Sequence, residues 1–282
     1  MNLGTGTCIA HFNNRWPRYD GIMELTEALR LQMEWGADEA LLDAPQDRRG
    51  ASQPAPVPAP VPAPAPAPRA VARPVAASPA GPAEAARIAD GCETLEALEK
   101  AMAGFTGCSL RDTATRLVFA DGVPDARLMI IGEAPGGEED RAGRPFVGPA
   151  GQLLDRMLGS IGLDRTMVRI ANIVPWRPPG NRNPTDGEVA VCLPFLHRQI
   201  ALVRPQGLLL LGAVAAKAIL PEPERSQGIR RLRGTWREVR IPGLAAPLPC
   251  LPTYHPAYLL RMPSAKAESW RDLLVVREWL SG

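Results

Sequence analysis

From residue 86 onward, short unbroken apolar runs alternate with helix-length patterns, and this alternation constrains the fold more than any other feature. The runs at 128–131, 168–174 and 207–211 are strand-sized and lack the apolar–polar alternation of a half-exposed strand. Strands of that kind are buried on both faces. Helical spacing falls between them, over 94–105, 151–161, 186–203 and 213–220. Thr94 stands at the expected N-cap of the first helix, with Glu96 and Glu99 near its start. Two further strands, near 236–241 and 248–253, precede a terminal helix around 265–280. The pattern predicts an α/β domain whose mostly parallel sheet is covered by helices on both faces.

Two segments of different character precede this body of residues 86–282. Residues 51–85 are rich in Ala-Pro repeats, which cannot build a core and favour an extended polyproline II spacer. Residues 1–50 hold one helical pattern, 23–42, whose apolar face a lone helix cannot bury. That segment either docks on the domain or captures a protein partner, and the Pro-rich spacer equally offers a ligand to a proline-binding domain. The net charge of +2 does not by itself announce a polyanion, although local arginine patches remain available. No apolar run approaches the roughly 20 residues of a membrane span. Met1 to Trp16 lack the pattern of a secretory signal, so a cytoplasmic monomer without membrane contact is expected. The five cysteines, Cys8, Cys92, Cys108, Cys192 and Cys250, are scattered and form no C-x-x-C pair. Neither disulfides nor a metal site follow from their spacing.

Chemistry concentrates in four loops at or after strand ends, where α/β folds place their ligands. The first, Gly132-Glu133-Ala134-Pro135-Gly136-Gly137-Glu138-Glu139-Asp140, crowds carboxylates at the mouth of a buried strand. Alone it also reads as a solvated acidic turn, but Gly132 and Gly136 would let the backbone approach a ligand closely. The second, Gly143-Arg144-Pro145-Phe146-Val147-Gly148, presents a flat ring suited either to stacking on a nucleobase or to covering the local core. In the third, Asn172 interrupts an apolar strand, and a buried amide left unpaired costs about 1–3 kcal/mol. Its donor and acceptor complement a pyrimidine edge, although a satisfied structural amide fits the pattern too. Arg177 and Arg182, flanking Pro178-Pro179, read as phosphate contacts or as solvated cations. The fourth loop places His255 at a strand exit, where an imidazole can donate to an oxygen that gains charge. Leu259-Leu260-Arg261 then joins an apolar wedge to a cation, a combination suited to parting bases and holding a phosphate.

Gly132–Gly136, Gly143–Gly148 followed by Ala150-Gly151-Gln152-Leu153-Leu154, Asn172, Arg177-Pro178-Pro179 with Asn181-Arg182, and His255–Arg261 together resemble the family 4 uracil-DNA glycosylases. The resemblance covers roughly residues 104–280, in the family's order and spacing. It implies a three-layer αβα sandwich that flips uracil out of DNA and hydrolyses its N-glycosidic bond. By position, Phe146 would stack on the extruded uracil and Asn172 would bond its Watson–Crick edge, with backbone amides around Ala134 to Gly136 as further base contacts. His255 would stabilise charge at the uracil O2, and Glu133 would either position the attacking water or stabilise a cationic sugar. Arg177, Arg182, Leu259, Leu260 and Arg261 would contact the DNA. Glu138, Glu139 and Asp140 would shape or cap their loop.

The chain departs from that family at its metal. The resemblance implies a four-iron, four-sulfur cluster on four cysteines, of which only Cys108 and Cys192 are present. Phe105 and Trp176 stand at the other two positions. Two thiolates cannot hold such a cluster in the usual way, so no cofactor is expected and the two aromatics are read as an apolar plug. A catalytically weak DNA-binding or polymerase-associated module of the same fold is the alternative to an active enzyme.

Overall fold

A computed structural model describes residues 81–281. Its strands are β1 (Asp121–Gly122), β2 (Leu128–Gly132), β3 (Val168–Asn172), β4 (Gly207–Leu211), β5 (Arg237–Val239) and β6 (Leu248–Thr253). They form one sheet in the order β1-β3-β2-β4-β6-β5. The inner strands β3, β2, β4 and β6 are mutually parallel, and β1 and β5 close the edges antiparallel. The mostly parallel sheet is therefore the one expected, with one short edge strand, β1, that no apolar run announced. An edge strand pairs on one side only and needs no buried run, which also explains why β5 is shorter than its pattern.

The helices are α1 (Gly81–Asp90), α2 (Leu95–Gly104), α3 (Gly137–Ala142), α4 (Pro149–Gly159), α5 (Asp186–Val203), α6 (Gly212–Ile219), α7 (Ile229–Leu232), α8 (Pro256–Arg261) and α9 (Lys266–Ser281). Alternate residues of each inner strand enter opposite layers of core, as period-two side chains must. Met129, Ile131, Leu208 and Leu210 pack with Leu98, Phe195 and Ala216 of α2, α5 and α6. Leu128, Ile130, Leu209 and Leu211 pack with Leu154, Leu259 and Leu273 of α4, α8 and α9. Three layers result.

Several boundaries differ from the pattern. α1 begins at Gly81, inside the segment read as linker, because Pro82 is tolerated in a first turn and Ala85 and Ala89 bury a small face. α3 forms within the acidic loop, where Glu138, Glu139 and Asp140 complement the positive end of the helix. α4 starts two residues earlier than its apolar spacing, at Pro149. Thr94 caps α2 as expected, accepting from Ala97 N at 3.1 Å. The expected helix at 23–42 and the spacer before residue 81 lie outside the described residues. Among the described residues, no helix is long and apolar enough to cross a membrane.

Candidate active site

The chain reverses direction across the sheet at β2, which has β3 on one side and β4 on the other. The crevice beyond the carboxyl ends of such strands is where open α/β sheets bind ligands. Here it contains a cavity of about 380 Å³ bordered by Glu133, Ala134, Gly136, Phe146, Asn172 and His255. Arg182 and Arg261 also border it. Arg177, Leu259 and Leu260 do not.

Asn172 ends β3, directly opposite Gly132 at the end of β2. Only glycine fits there: a Cβ on Gly132 would lie 2.4 Å from Asn172 Oδ1 and 2.5 Å from Phe146 Cζ. The amide and the ring thus close on the same bare stretch of backbone. Asn172 is 5 % exposed, and its Oδ1 has no hydrogen-bond partner. An orphan acceptor buried at a cavity wall is costly unless a ligand supplies the donor.

Phe146 is 5 % exposed, so it is walled in by protein rather than held out in a loop as its Gly/Pro flanks suggested. Its backbone adopts φ of +55°, a strained region for an aromatic residue. Arg165 holds that backbone, donating to Pro145 O at 3.1 Å and to Phe146 O. Arg165 is itself fixed by Asp121 at 2.7 Å and Asp155 at 2.8 Å. Nothing in the sequence marked Arg165, because its partners lie 10 to 44 residues away.

The loop carboxylates divide their labour. Glu139 Oε2 accepts from Gly136 N at 3.0 Å, while its Oε1 accepts from Val147 N at 3.0 Å and Gly148 N at 2.8 Å. One side chain therefore ties the acidic loop to the Phe146 loop. Asp140, buried, accepts from Thr115 N and Arg116 N. Burial pushes its carboxyl up, but these hydrogen bonds outweigh it and hold the group below the ordinary carboxylate range. The expectation of loop-shaping carboxylates is met by Glu139 and Asp140. Gly136 was also expected to offer an amide to the base, yet its N–H is already given to Glu139. Pro135 has no N–H, which leaves the amide of Ala134.

Glu133 is half-buried at the mouth of β2. Desolvation raises its pKa, and the positive charge of Arg261 partly opposes the rise. His255 is the N-cap of α8, and its Nδ1 accepts from Ala257 N at 3.1 Å. The proton of the neutral ring must then sit on Nε2. Burial, with Arg261 adding to it, lowers the pKa of His255 to about 4. The site therefore holds a neutral imidazole whose tautomer is fixed by the backbone.

Of the expected DNA contacts, Leu259 needs correction. Leu259 is 1 % exposed and packs in the core beneath α8, so it cannot act as a wedge. Leu260, on the outer side of the same helix, is 41 % exposed and keeps that possibility. Arg182, expected to contact phosphate, borders the cavity with 44% of its side chain exposed, and its guanidinium forks onto Glu188 at 2.9 and 2.7 Å, locking the loop to the first turn of α5. Arg177 donates through Nε to Asn181 Oδ1 at 2.8 Å.

The sequence profile of the uracil DNA glycosylase superfamily matches residues 119–274. The type-4 uracil-DNA glycosylase of Pyrobaculum aerophilum is 40% identical over 180 residues, which are 64% of this chain and 91% of that protein. The chain belongs to the type-4 uracil-DNA glycosylases. Its relatives in Archaeoglobus fulgidus (38% over 188 residues, 66% of this chain and 93% of that protein) and Thermotoga maritima (40% over 169 residues, 60% and 84%) carry the same name.

For a type-4 glycosylase, the residues around the expected cluster do not fit one. Cys108 and Cys192 lie with Sγ atoms 3.8 Å apart, and Phe105 (4 % exposed) and Trp176 (3 % exposed) occupy the same core. Phe105 packs edge-on against Phe195, with ring centroids 5.1 Å apart. The hydrogen bond between Cys108 and Cys192 pushes the Cys192 thiol well up and the Cys108 thiol down, and two sulfurs are too few for a cluster that takes four thiolates. Cys92 instead donates to Ile88 O, and Cys250 is buried in β6 with its pKa pushed up to about 12. Among the described residues, no group of three or more His, Cys, Asp or Glu is placed to hold a metal ion.

Proposed function

We propose that this glycosylase excises uracil from DNA by hydrolysis, and that the cavity beyond β2 receives the flipped base. The observation that carries the reading is Asn172 at the cavity wall, a buried amide whose Oδ1 has no hydrogen-bond partner in the protein and would accept from the N3–H of uracil. The amide nitrogen of the same side chain would donate to O4. Cytosine presents an acceptor at N3 and a donor at O4's place, so it would leave the amide mispaired. Mispaired buried polar groups of this kind reject an analogue by orders of magnitude. Phe146 stacks on the base, and the amide of Ala134 adds a donor at its edge.

As the C1′–N1 bond breaks, its electron pair stays with the base and charge builds on O2. Neutral His255 donates Nε2–H to that oxygen, a donor aimed in advance at developing charge. Water adds its oxygen to C1′, and the proton it loses balances the charge of the uracil anion that leaves. Glu133, at the cavity wall, acts as a carboxylate that orients this water or stabilises positive charge on the sugar. Leu260 enters the stack during flipping, while Arg261 and Arg177 face the phosphates.

In the same reading Phe105 and Trp176 form an apolar plug, and catalysis runs without an iron–sulfur cluster. The enzyme acts as a cytoplasmic monomer, with residues 1–80 available to a protein partner. A strand-cleavage assay on uracil-containing single-stranded and duplex DNA tests the core of the proposal. Wild type is expected to release uracil, with Asn172→Ala and His255→Ala each slowed by at least about a hundredfold. Full activity in both variants would sink the assigned roles.

A further inference from the structure

Among the described residues, three besides glycine have positive φ: Phe146, Asn181 and Arg204. Asparagine enters that region readily and a bulky aromatic does not, so the backbone of Phe146 is strained. Strain of this kind persists only where the surroundings over-determine the backbone. Two side chains do so here. Glu139 accepts from the amides of Val147 and Gly148, and Arg165 donates to the carbonyls of Pro145 and Phe146. The stretch Pro145–Gly148 is thus gripped at its carbonyls by a cation and at its amides by a carboxylate.

The cation is itself aimed by carboxylates on two different elements. Its Nη1 donates to Asp121 Oδ2 of β1 at 2.7 Å, and its Nε donates to Asp155 Oδ1 of α4 at 2.8 Å. A guanidinium is a rigid planar fork, so fixing Nε and Nη1 fixes where Nη2 points. It points at Phe146 O. α4 leaves room for that peptide: a Cβ on Gly151 would lie 1.7 Å from Phe146 O. At its other end Phe146 sets its ring against bare Gly132 and 5.6 Å, centroid to centroid, from the ring of His255. Arg165 is not among the residues that border the cavity. Its route to the base runs through the Phe146 backbone or through its charge alone.

We propose that Arg165 is a positioning residue for uracil excision, whose fork holds Phe146 in the strained backbone that lays its ring along the base. This role rests on the placement of uracil in the cavity beyond β2. The geometry favours the backbone route, because four directed hydrogen bonds serve the loop and its anchors while none reaches the cavity. Stacking of a base on an aromatic side chain is worth about 5- to 150-fold by alanine substitution, and that range sets the effect expected when the ring is no longer held in place.

The test is a double-mutant cycle between Arg165→Gln and Phe146→Ala in the full chain, read by single-turnover uracil release at saturating DNA. Arg165→Gln is expected to slow release about 5- to 150-fold, with affinity for uracil-free DNA within about twofold of wild type. In the Phe146→Ala background the same substitution should cost less than about twofold, because residues that act through one contact do not add. Arg165→Lys keeps the charge but replaces the fork with a point cation, so it should recover little of the rate. Asp155 is half-exposed, so Asp155→Asn should melt close to wild type and lose less rate than Arg165→Gln, again only while the ring is present. It carries the cycle should Arg165→Gln fail to fold. A loss that persists undiminished in the Phe146→Ala background leaves Arg165 a merely structural role, and full rate in Arg165→Lys leaves only its charge; either result overturns the assignment. Wild type that releases no uracil, or Phe146→Ala as fast as wild type, overturns the placement of the base instead, so the two failures are told apart.

Discussion

Replacing Trp176 by alanine tests whether aromatic packing has taken over the place of a metal cluster. Trp176 and Phe105 are both almost fully buried, in the core layer that joins α2, α5 and the end of β3. Truncating a buried Phe or Trp to Ala costs about 3–5 kcal/mol through lost transfer energy and the cavity left behind. For a domain of this size each kcal/mol lowers the melting temperature by about 2–4 °C, so each variant should melt about 6–20 °C below wild type. The double variant should lose about 6–10 kcal/mol if the sites are independent, comparable with the whole stability of about 5–15 kcal/mol. It should be largely unfolded at room temperature. Thermal melts in reducing buffer, with and without an iron chelator, read the effect. Wild type should be indifferent to the chelator and carry no visible absorbance or acid-labile sulfide after anaerobic purification. A Trp176→Ala melt within about 2 °C of wild type, or stoichiometric iron and sulfide in the native protein, would refute the reasoning.

Two further outcomes follow from the site's geometry. Glu133 is raised above the ordinary carboxylate value and must be ionised to act, so kcat/KM should fall on the acid side with a midpoint in that raised range. His255, neutral down to about pH 4, steepens this limb only at its acid end. Arg261 favours the ionised form of Glu133, so Arg261→Ala should move the midpoint to higher pH; a shift to lower pH would contradict the pairing. The two leucines of α8 should separate cleanly. Leu259→Ala should cost about 2–5 kcal/mol of stability. Leu260→Ala should stay within about 0.5 kcal/mol in a thermal melt yet slow excision from duplex more than from single-stranded DNA. Equal melts for the two variants would count against the assignment of faces.

The inner strands were legible because each is a short apolar run buried on both faces, a pattern that composition alone can carry. The four loops were legible for a related reason: each groups its glycines, prolines and polar residues locally, at the end of a strand. Their meeting at one cavity follows from parallel pairing, which brings Glu133, Asn172 and His255 to the same edge of the sheet. Local pattern was silent on α1 and β1, whose burial depends on partners far away in the chain. It also left Phe146 undecided between stacking and covering, and the folded chain has it walled in beside the cavity.

The sequence by itself determined the alternation of buried strands and helices, the loops that carry polar groups to the strand ends, and the aromatic residues, Phe105 and Trp176, that stand in place of two expected cluster cysteines. Only the tertiary structure decided which of Leu259 and Leu260 faces outward, because helix phase is set by what packs beneath α8. It also decided that Arg182 belongs to Glu188, that Arg165 and Glu139 hold the Phe146 loop, and that His255 carries its proton on Nε2. Each depends on a partner whose distance through space cannot be read from its distance along the chain.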